Sequence, residues 1–165
     1  MNFDLEKVEF KGEKKFLSNM YIAPIIFNFD INTPTGTIYG DNKTYLSSEH
    51  LYQALKSESL AWHSIIRSLI KPEQTKTLAK KSLKTLLADN IVTFLIREDW
   101  HDIKLSIMEK IVKEKFSQNP TLLIKLKAIK GHIEERNCWG DKYWGTVNGI
   151  GENHLGKILI TIKNL

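Results

Sequence analysis

A glycine- and tryptophan-rich stretch near the carboxyl end of the chain, residues 135–156, restricts the possible folds most. It runs ERNCWGDKYWGTVNGIGENHLG and has neither a helical nor an alternating apolar period. Glycine lets the main chain turn tightly or approach a ligand closely, and tryptophan offers a flat apolar face. Two interpretations are open: a loop-built pocket for a flat polar ligand, or a surface loop anchored by two buried tryptophans.

The remainder of the chain indicates an α+β domain that is mainly helical. It has 165 residues, of which 42% are hydrophobic, enough for one ordinary core, so we expect a single domain over residues 1–165. Alternating runs predict strands near residues 5–10 and 43–45 and a hairpin over residues 25–39. Apolar positions at helical spacing predict about six helices around this small β-sheet.

Capping residues and prolines mark where the predicted helices begin. Serines precede the first helix, and the spacing of Trp62, Ile65, Ile66, Leu69 and Ile70 predicts the second. A further turn or helix is expected over residues 88–96. The other predicted helices start at Pro72, Asp99, Pro120 and Asn153.

The first predicted helix carries a row of polar side chains. Glu49 and Lys56 are seven residues apart, so two helical turns bring them to one face, with Tyr52 and Gln53 between them. A solvated face with an acid in the first turn explains this row, and so does a polar face turned towards a ligand. The sequence leaves both interpretations open.

Charge and cysteine content restrict the partners and the compartment. The 24 Lys and Arg residues exceed the 19 Asp and Glu residues by five, and residues 71–84 form the most basic segment. That segment is either a solvated lysine face or a phosphate-binding surface. The single cysteine, Cys138, excludes an intramolecular disulfide. Because no signal peptide or membrane-spanning run is present, we expect a cytoplasmic protein without a membrane partner.

Most common catalytic motifs are missing from the sequence. There is no HExxH zinc motif, no EF-hand loop, no phosphate-binding Walker loop and no GxSxG turn, and the five histidines lack ligand spacing. We therefore expect no metal and no cofactor. The residues left to carry chemistry are acids, amides, aromatics and one lysine: Glu49, Glu135, Asp141, Asn19, Asn137, Asn153, Trp100, Trp139, Trp144 and Lys56.

Four segments in a fixed order resemble the NADAR family, which includes the YbiA-like N-glycosidases. They are FLSNMY, SSEHLYQALK, KLSIMEKIVKEKFSQNP and EERNCWGDKYWGTVNGIGENHLGKIL, and the resemblance extends over residues 16–162. It implies a YbiA-like fold and hydrolysis of an N-glycosidic bond between ribose and a base. The substrates it implies are ADP-ribose attached to guanine in nucleic acid, or aminopyrimidine ribosyl phosphates of the riboflavin pathway.

The resemblance also implies site residues, which suit the chemistry. Glu49 and Asp141 are the expected catalytic carboxylates, because cleavage of the bond develops positive charge on the ribose. Lys56 is a candidate nucleophile that can form a Schiff base with an opened ribose. Trp100 belongs to the same implied site, and Asn19 and Asn153 are implied ligand contacts.

Residue chemistry extends the expected substrate-binding set. Trp139 and Trp144 offer faces on which a base can stack, as does Trp100. Main-chain amides at glycines such as Gly145, and Asn153 at a helix amino terminus, suit a phosphate.

We expect a metal-independent N-glycosidase that removes ADP-ribose from a nucleic-acid base, most specifically guanine in DNA. The basic segment at residues 71–84 favours this substrate over a ribosylaminopyrimidine phosphate intermediate of riboflavin biosynthesis. The alternative from another class is a module that senses NAD or ADP-ribose without turnover. Two carboxylates argue against that alternative, because a binder of an anionic ligand gains little from negative charge beside it.

Overall fold

The computed structural model describes residues 7–84 and 94–165, which divide into two compact units. Residues 19–84 and 94–118 form the larger unit, and residues 7–18 with 119–165 form the smaller one. The elements confirm an α+β fold that is mainly helical, and the expectation of a single domain stays a prediction. In chain order they are β1 (Lys7–Val8), a 3₁₀ helix (Gly12–Leu17), β2 (Ile25–Ile26), β3 (Ile31–Thr33), β4 (Gly36–Ile38), β5 (Thr44–Tyr45), α1 (Ser48–Ala54), α2 (Leu60–Ser68), α3 (Pro72–Ser82), β6 (Leu83–Lys84), β7 (Phe94–Leu95), α4 (Trp100–Gln118), α5 (Pro120–Lys127), β8 (His132–Ile133) and α6 (His154–Lys163).

Among the described residues the strands form four separate two-stranded ladders. Strands β3 and β4 make the predicted hairpin, closed by the pair Thr33 and Gly36. Residues 25–31 do not form the single strand that their alternation predicted, because the main chain turns where Asn28 N donates to Ile26 O (2.9 Å). Strand β2 pairs instead with β5, and the parallel ladders are β1 with β8 and β6 with β7.

Helix α1 packs against α2, α3 and α4 within the larger unit. All seven of its residues are buried. Helix α4 supplies the predicted apolar face, with Ile103, Ile107 and Ile111 fully buried. These contacts surround α1 on several sides, so its polar side chains lie in the interior of the unit.

Helix α2 buries fewer apolar residues than its pattern predicted. Trp62 and Ile66 are fully buried, whereas Ile65 is 37% exposed and Ile70 is 77% exposed. The helix ends at Ser68, and Leu69 is extended (ψ 138°), which turns Ile70 away from the helical stripe. The helical spacing therefore predicted a longer apolar face on α2 than the structure shows.

The smaller unit contains helices α5 and α6, which pack together, and strand β8, which packs on α6. Asn153 occupies the predicted capping position of α6 but does not cap it with its side chain. It is left-handed (φ 51°), and its side chain accepts from Glu135 N and donates to Ile133 O, both at 3.0 Å. The amide thus fastens the chain around β8 to the start of α6.

Two predicted elements fall partly outside the described residues. Of the strand expected at residues 5–10, Lys7–Val8 forms β1 and residues 5–6 are not described. Residues 88–93 of the element expected at 88–96 are likewise not described, and Phe94–Leu95 forms β7. Across the part of the chain that is described, no helix combines the length and the apolar character needed to cross a membrane.

Candidate active site

A hydrogen-bond network fixes the first turn of α1. Ser47 Oγ accepts from His50 N (3.3 Å) and lies 2.8 Å from His50 Nδ1, while His50 Nε2 lies 2.9 Å from Leu69 O. Burial lowers the pKa of His50, which favours the neutral imidazole with one donor and one acceptor nitrogen. The capping serine predicted from the sequence is confirmed, and the turn that carries Glu49 is held in place.

Glu49 is a buried carboxylate with a defined orientation. Glu49 is only 7% exposed, and its Oε1 accepts a 2.6 Å hydrogen bond from Gln53 Nε2. Its main-chain amide donates to Asn19 O at 3.1 Å, which joins the preceding irregular segment to the helix. The polar row on α1 is therefore not a solvated face, and its interpretation as a polar face turned towards a ligand stays a prediction.

Several polar atoms around α1 are buried without an internal partner. Asn19, 8% exposed, donates from Nδ2 to Met108 Sδ at 3.2 Å. Within residues 7–84 and 94–165, Asn19 Oδ1, Gln53 Oε1 and Ser48 Oγ have no hydrogen-bond partner. Buried polar atoms in native proteins are nearly always hydrogen-bonded, so these three atoms are candidate contacts for a polar ligand. For Asn19 this agrees with the role implied by the sequence.

Lys56 lies two residues after the end of α1, and its amine is close to two aromatic rings. Its Nζ lies 5.4 Å from the ring centroid of Tyr52 and 5.9 Å from that of Trp100. The two rings are 5.0 Å apart and tilted by 57°. Its carbonyl accepts from Arg97 N at 2.8 Å, and Arg97 pairs in turn with Asp99. These contacts hold the lysine at the end of the helix.

Burial lowers the pKa of Lys56, and the positive charges of Lys76, Lys104 and Lys80 lower it further. The negative charge of Glu49 opposes these effects and raises it. An amine with a lowered pKa is more often neutral and therefore more nucleophilic. The larger unit thus brings together Asn19, Glu49, Lys56 and Trp100, and their roles in binding or catalysis stay predictions. Gln53 received no role from the sequence, although its position one turn after Glu49 is the signal that could have found it.

Asp141 lies in the smaller unit, where a tight turn fixes its carboxylate. Oδ1 accepts from the main-chain amides of Tyr143 (3.0 Å) and Trp144 (2.9 Å). Asn137 bonds to both sides of the Asp141 peptide, with Oδ1 accepting from Asp141 N (2.9 Å) and Nδ2 donating to Asp141 O (2.7 Å). One carboxylate oxygen thus supports the loop. Asn137 is a positioning residue that the sequence placed among the candidates without a specific role.

The two tryptophans of the glycine-rich stretch have different environments. Trp139 is 63% exposed, which excludes a loop anchored by two buried tryptophans. Trp144 is half-buried and packs edge-on against Tyr143, with centroids 4.8 Å apart. It also lies 6.4 Å from the ring of His154. One ring therefore supports the loop, and a substrate contact by either ring stays a prediction.

Close main-chain packing gives a structural reason for two of the glycines in the glycine-rich stretch. A Cβ at Gly145 would collide with the carbonyl oxygen of Glu135, and one at Gly156 would collide with that of Ile133. The first amides of α6 are also occupied, since His154 N donates to Tyr143 O (3.2 Å) and Leu155 N donates to Trp144 O (3.0 Å). These two amides are therefore engaged inside the protein, contrary to the expected phosphate site at this helix end. Ligand contacts by Gly145 and Asn153 themselves stay predictions.

The sequence is similar to a known domain family and to two named proteins. The profile of the NADAR domain matches residues 8–165. The N-glycosidase YbiA of Shigella sonnei is 29% identical over 124 residues, 74% of this chain and 71% of that protein. The riboflavin biosynthesis protein VVA0006 of Vibrio vulnificus is 30% identical over 149 residues, which cover 90% of this chain but 34% of that protein. This chain therefore spans about a third of the Vibrio relative.

One solved structure supports the same fold. The NMR structure of Escherichia coli YbiA superposes with a TM-score of 0.71 at 24% identity, covering 96% of this chain and 83% of that one. The predicted YbiA-like architecture is confirmed.

Proposed function

This chain belongs to the NADAR domain family, and we propose that it is an N-glycosidase that hydrolyses the bond between a ribose and a base. The observation that carries the proposal is the pairing of a buried, oriented carboxylate in the first turn of a short helix with an amine of lowered pKa two residues beyond its end. Glu49 and Lys56 supply these groups. The polar side chains of α1 are buried, and burial of a polar group costs free energy unless it is hydrogen-bonded.

The proposed role of Glu49 is electrostatic stabilisation of the transition state. Cleavage of the N-glycosidic bond leaves positive charge on the ribose ring, and a fixed carboxylate stabilises that charge more than it stabilises the neutral substrate. The hydrogen bond from Gln53 holds the carboxylate in one orientation before reaction. Such preorganisation avoids a reorganisation cost during the chemical step.

The proposed role of Lys56 is covalent. Its neutral amine attacks the anomeric carbon, the carbon–nitrogen bond to the base breaks, and the base leaves with a proton. Opening of the ribose ring gives a Schiff base between the sugar and Lys56. Water then hydrolyses the Schiff base, which releases the sugar aldehyde and returns the amine. Asp141 is the second proposed catalytic carboxylate, and the turn that fixes its Oδ1 supports a positioned role.

For the substrate we propose ADP-ribose attached to a base of nucleic acid, specifically guanine in DNA. The net charge of +5 and the basic segment at residues 71–84 support a polyanionic partner. The name of the Vibrio relative supports the alternative, a ribosylaminopyrimidine phosphate. Incubation of the protein with ADP-ribosylated DNA and, separately, with the ribosylaminopyrimidine phosphate measures the released base from each. Cleavage of the second substrate alone would reverse this choice.

The same assay separates an enzyme from a sensor of NAD or ADP-ribose. Calorimetry with ADP-ribose measures binding, and product analysis with both substrates measures turnover. We expect base release that increases with enzyme concentration. Tight binding of ADP-ribose without base release from either substrate would instead establish the sensor.

A further inference from the structure

Two side-chain amides beside Glu49 are oriented by partners that accept hydrogen bonds. Gln53 Nε2 donates to Glu49 Oε1 at 2.6 Å, and Asn19 Nδ2 donates to Met108 Sδ at 3.2 Å. Neither an ionised carboxylate nor a thioether sulfur has a proton to donate. Each amide therefore turns its NH₂ group towards its partner and leaves its carbonyl oxygen for another group.

Both carbonyl oxygens are buried and without a hydrogen bond. Among the residues that the structure describes, 7–84 and 94–165, neither Gln53 Oε1 nor Asn19 Oδ1 has a hydrogen-bond partner. Gln53 is 2% exposed and Asn19 is 8% exposed. A buried acceptor without a donor is unfavourable, so these two positions favour a ligand that brings hydrogen-bond donors.

Direct contacts tie both amides to the candidate catalytic carboxylate. The Gln53 side chain bonds to the Glu49 side chain, and Asn19 O accepts from Glu49 N at 3.1 Å. Met108, the partner of the Asn19 amide, is 1% exposed and lies on α4, which packs against α1. The two acceptor oxygens therefore belong to the surroundings of Glu49 by hydrogen bonds of known length.

The chemistry of these groups selects the part of a substrate that suits them. A carboxylate and two amide oxygens offer acceptors, so a phosphate, which also offers acceptors, does not match them. Sugar hydroxyls donate and do match. Because Glu49 is assigned to the positive charge on the ribose, groups that contact Glu49 lie nearest the hydroxyl beside the anomeric carbon. In glycoside cleavage, hydrogen bonds to this 2-hydroxyl strengthen in the transition state.

We propose that Gln53 Oε1 and Asn19 Oδ1 accept hydrogen bonds from the ribose hydroxyls, with the 2-hydroxyl as the main donor, so that the protein selects ribose over 2-deoxyribose. This inference rests on the proposed function, because that function brings the ribose to Glu49. A site with buried polar groups strongly rejects an analogue that leaves them unpaired. Such selection leaves the deoxyribose bonds of DNA intact while an attached ribose is removed.

The test measures binding by the full chain, without turnover. Calorimetry compares ribose 5-phosphate with 2-deoxyribose 5-phosphate, which differ in one hydroxyl and carry the sugar phosphate that both proposed substrates contain. We expect the wild type to bind the deoxy sugar at least about tenfold more weakly. Gln53→Leu and Asn19→Leu replace each amide by an apolar side chain of similar size, and each should reduce this ratio by about threefold or more.

The affinity ratio separates recognition from orientation of Glu49. A variant that only misplaces the carboxylate weakens both sugars alike and keeps the wild-type ratio. Asn28→Leu is the control, because Asn28 is an exposed amide in the same unit, and it should also keep the wild-type ratio. Thermal unfolding checks the fold of every variant. If a variant does not fold, the comparison of the two sugars in the wild type still decides.

Every other outcome also decides. Equal wild-type affinity for the two sugar phosphates would overturn the inference, and so would binding of neither. A wild-type ratio in both Gln53→Leu and Asn19→Leu would overturn it as well. Ribose selection without base release from either substrate would leave the hydroxyl subsite standing and refute the proposed enzymatic function. Base release without sugar selection would do the reverse.

Discussion

Gln53 donates a 2.6 Å hydrogen bond from its side-chain amide to Oε1 of Glu49, one turn earlier on the same buried helix. A carboxylate that accepts such a bond is favoured in its charged form. Gln53 is only 2% exposed, so it is not a surface residue that happens to reach its neighbour. We therefore assign it a positioning role, which two substitutions test.

Gln53→Glu places a second carboxylate against Glu49. Two carboxylates at this separation cannot both ionise readily, so one of them gains a pKa above its usual range. We expect the acidic limb of the pH profile of base release to move upwards by about one pH unit or more. Gln53→Ala should lower kcat without that shift. Gln74→Glu on the exposed face of α3 adds the same charge as a control, and an unchanged profile in Gln53→Glu would refute the role.

Glu49→Gln removes the negative charge while keeping an oxygen that can accept from Gln53. We expect base release to fall by about 100-fold or more, because the positive charge on the ribose loses its stabilising carboxylate. The unfolding midpoint should change little. Glu109→Gln, on an exposed position of α4, is the control and should retain activity. Full activity in Glu49→Gln would exclude a catalytic carboxylate at this position.

Lys56 should form a reducible adduct with its substrate. Borohydride added during turnover traps a Schiff base, and mass spectrometry should locate the sugar on Lys56. Lys56→Arg should give no adduct, whereas Lys113→Arg on the exposed side of α4 should give the wild-type amount. Turnover by the wild type without any trapped adduct would favour direct attack by water.

The pH dependence of this step has a defined sign. Only the neutral amine attacks, so base release should rise as the pH rises through the pKa of Lys56, which lies below its ordinary value of 10.5. Burial is the main cause of the lowered pKa, and Lys76 contributes. Lys76→Gln should therefore raise that pKa and move the rising limb to higher pH.

Local signals predicted the elements that carry this site. Capping by Ser47 and the prolines at the start of α3 and α5 were sufficient to predict where these helices begin, because each signal acts within one turn of helix. The environment of Glu49 was not predictable in the same way. Whether a polar helical face is solvated or buried depends on α3 and α4, which follow far along the chain.

The glycine-rich stretch shows the same limit. Its lack of regular structure was evident from the sequence, but the reason for Gly145 is a carbonyl ten residues earlier, at Glu135. Asn153 likewise binds main-chain groups of Ile133 and Glu135 instead of capping its own helix. Non-local contacts of this kind leave no periodic signal, so composition suggested a ligand contact for these residues but not the packing contacts that they also make.

Two substitutions of Asp141 separate the effect of its charge from its structural role. Asp141→Asn keeps the Oδ1 acceptor for the amides of Tyr143 and Trp144 and removes only the charge. We expect it to lose base release by about 100-fold or more while unfolding at the wild-type denaturant concentration. Asp141→Ala removes the acceptor too, and should also cost about 1–3 kcal/mol of stability. Wild-type turnover by Asp141→Asn would leave the residue with a structural role alone.

Lys115 on α4 gives the stability of the protein a predictable dependence on pH. The residue is 0% exposed, and its Nζ lies 5.2 Å from the ring centroid of Phe116 and 5.9 Å from that of Tyr21. Burial lowers its pKa from 10.5 to about 7. Between these two values the unfolded chain binds the proton and the folded chain does not. The free energy of unfolding should therefore rise with pH across this window, by up to about 1.4 kcal/mol per pH unit.

Lys115→Met isolates this contribution, because methionine fills a similar volume without a titratable group. Urea unfolding at about pH 6, 7, 8 and 9 gives the free energy of each protein, and the difference between wild type and variant removes the other titrating groups. We expect the variant to be more stable near neutral pH and its advantage to shrink as the pH rises. Lys113→Met, two residues earlier and exposed, should follow the wild type at every pH. A difference that stays constant with pH would show that Lys115 remains charged inside the folded protein.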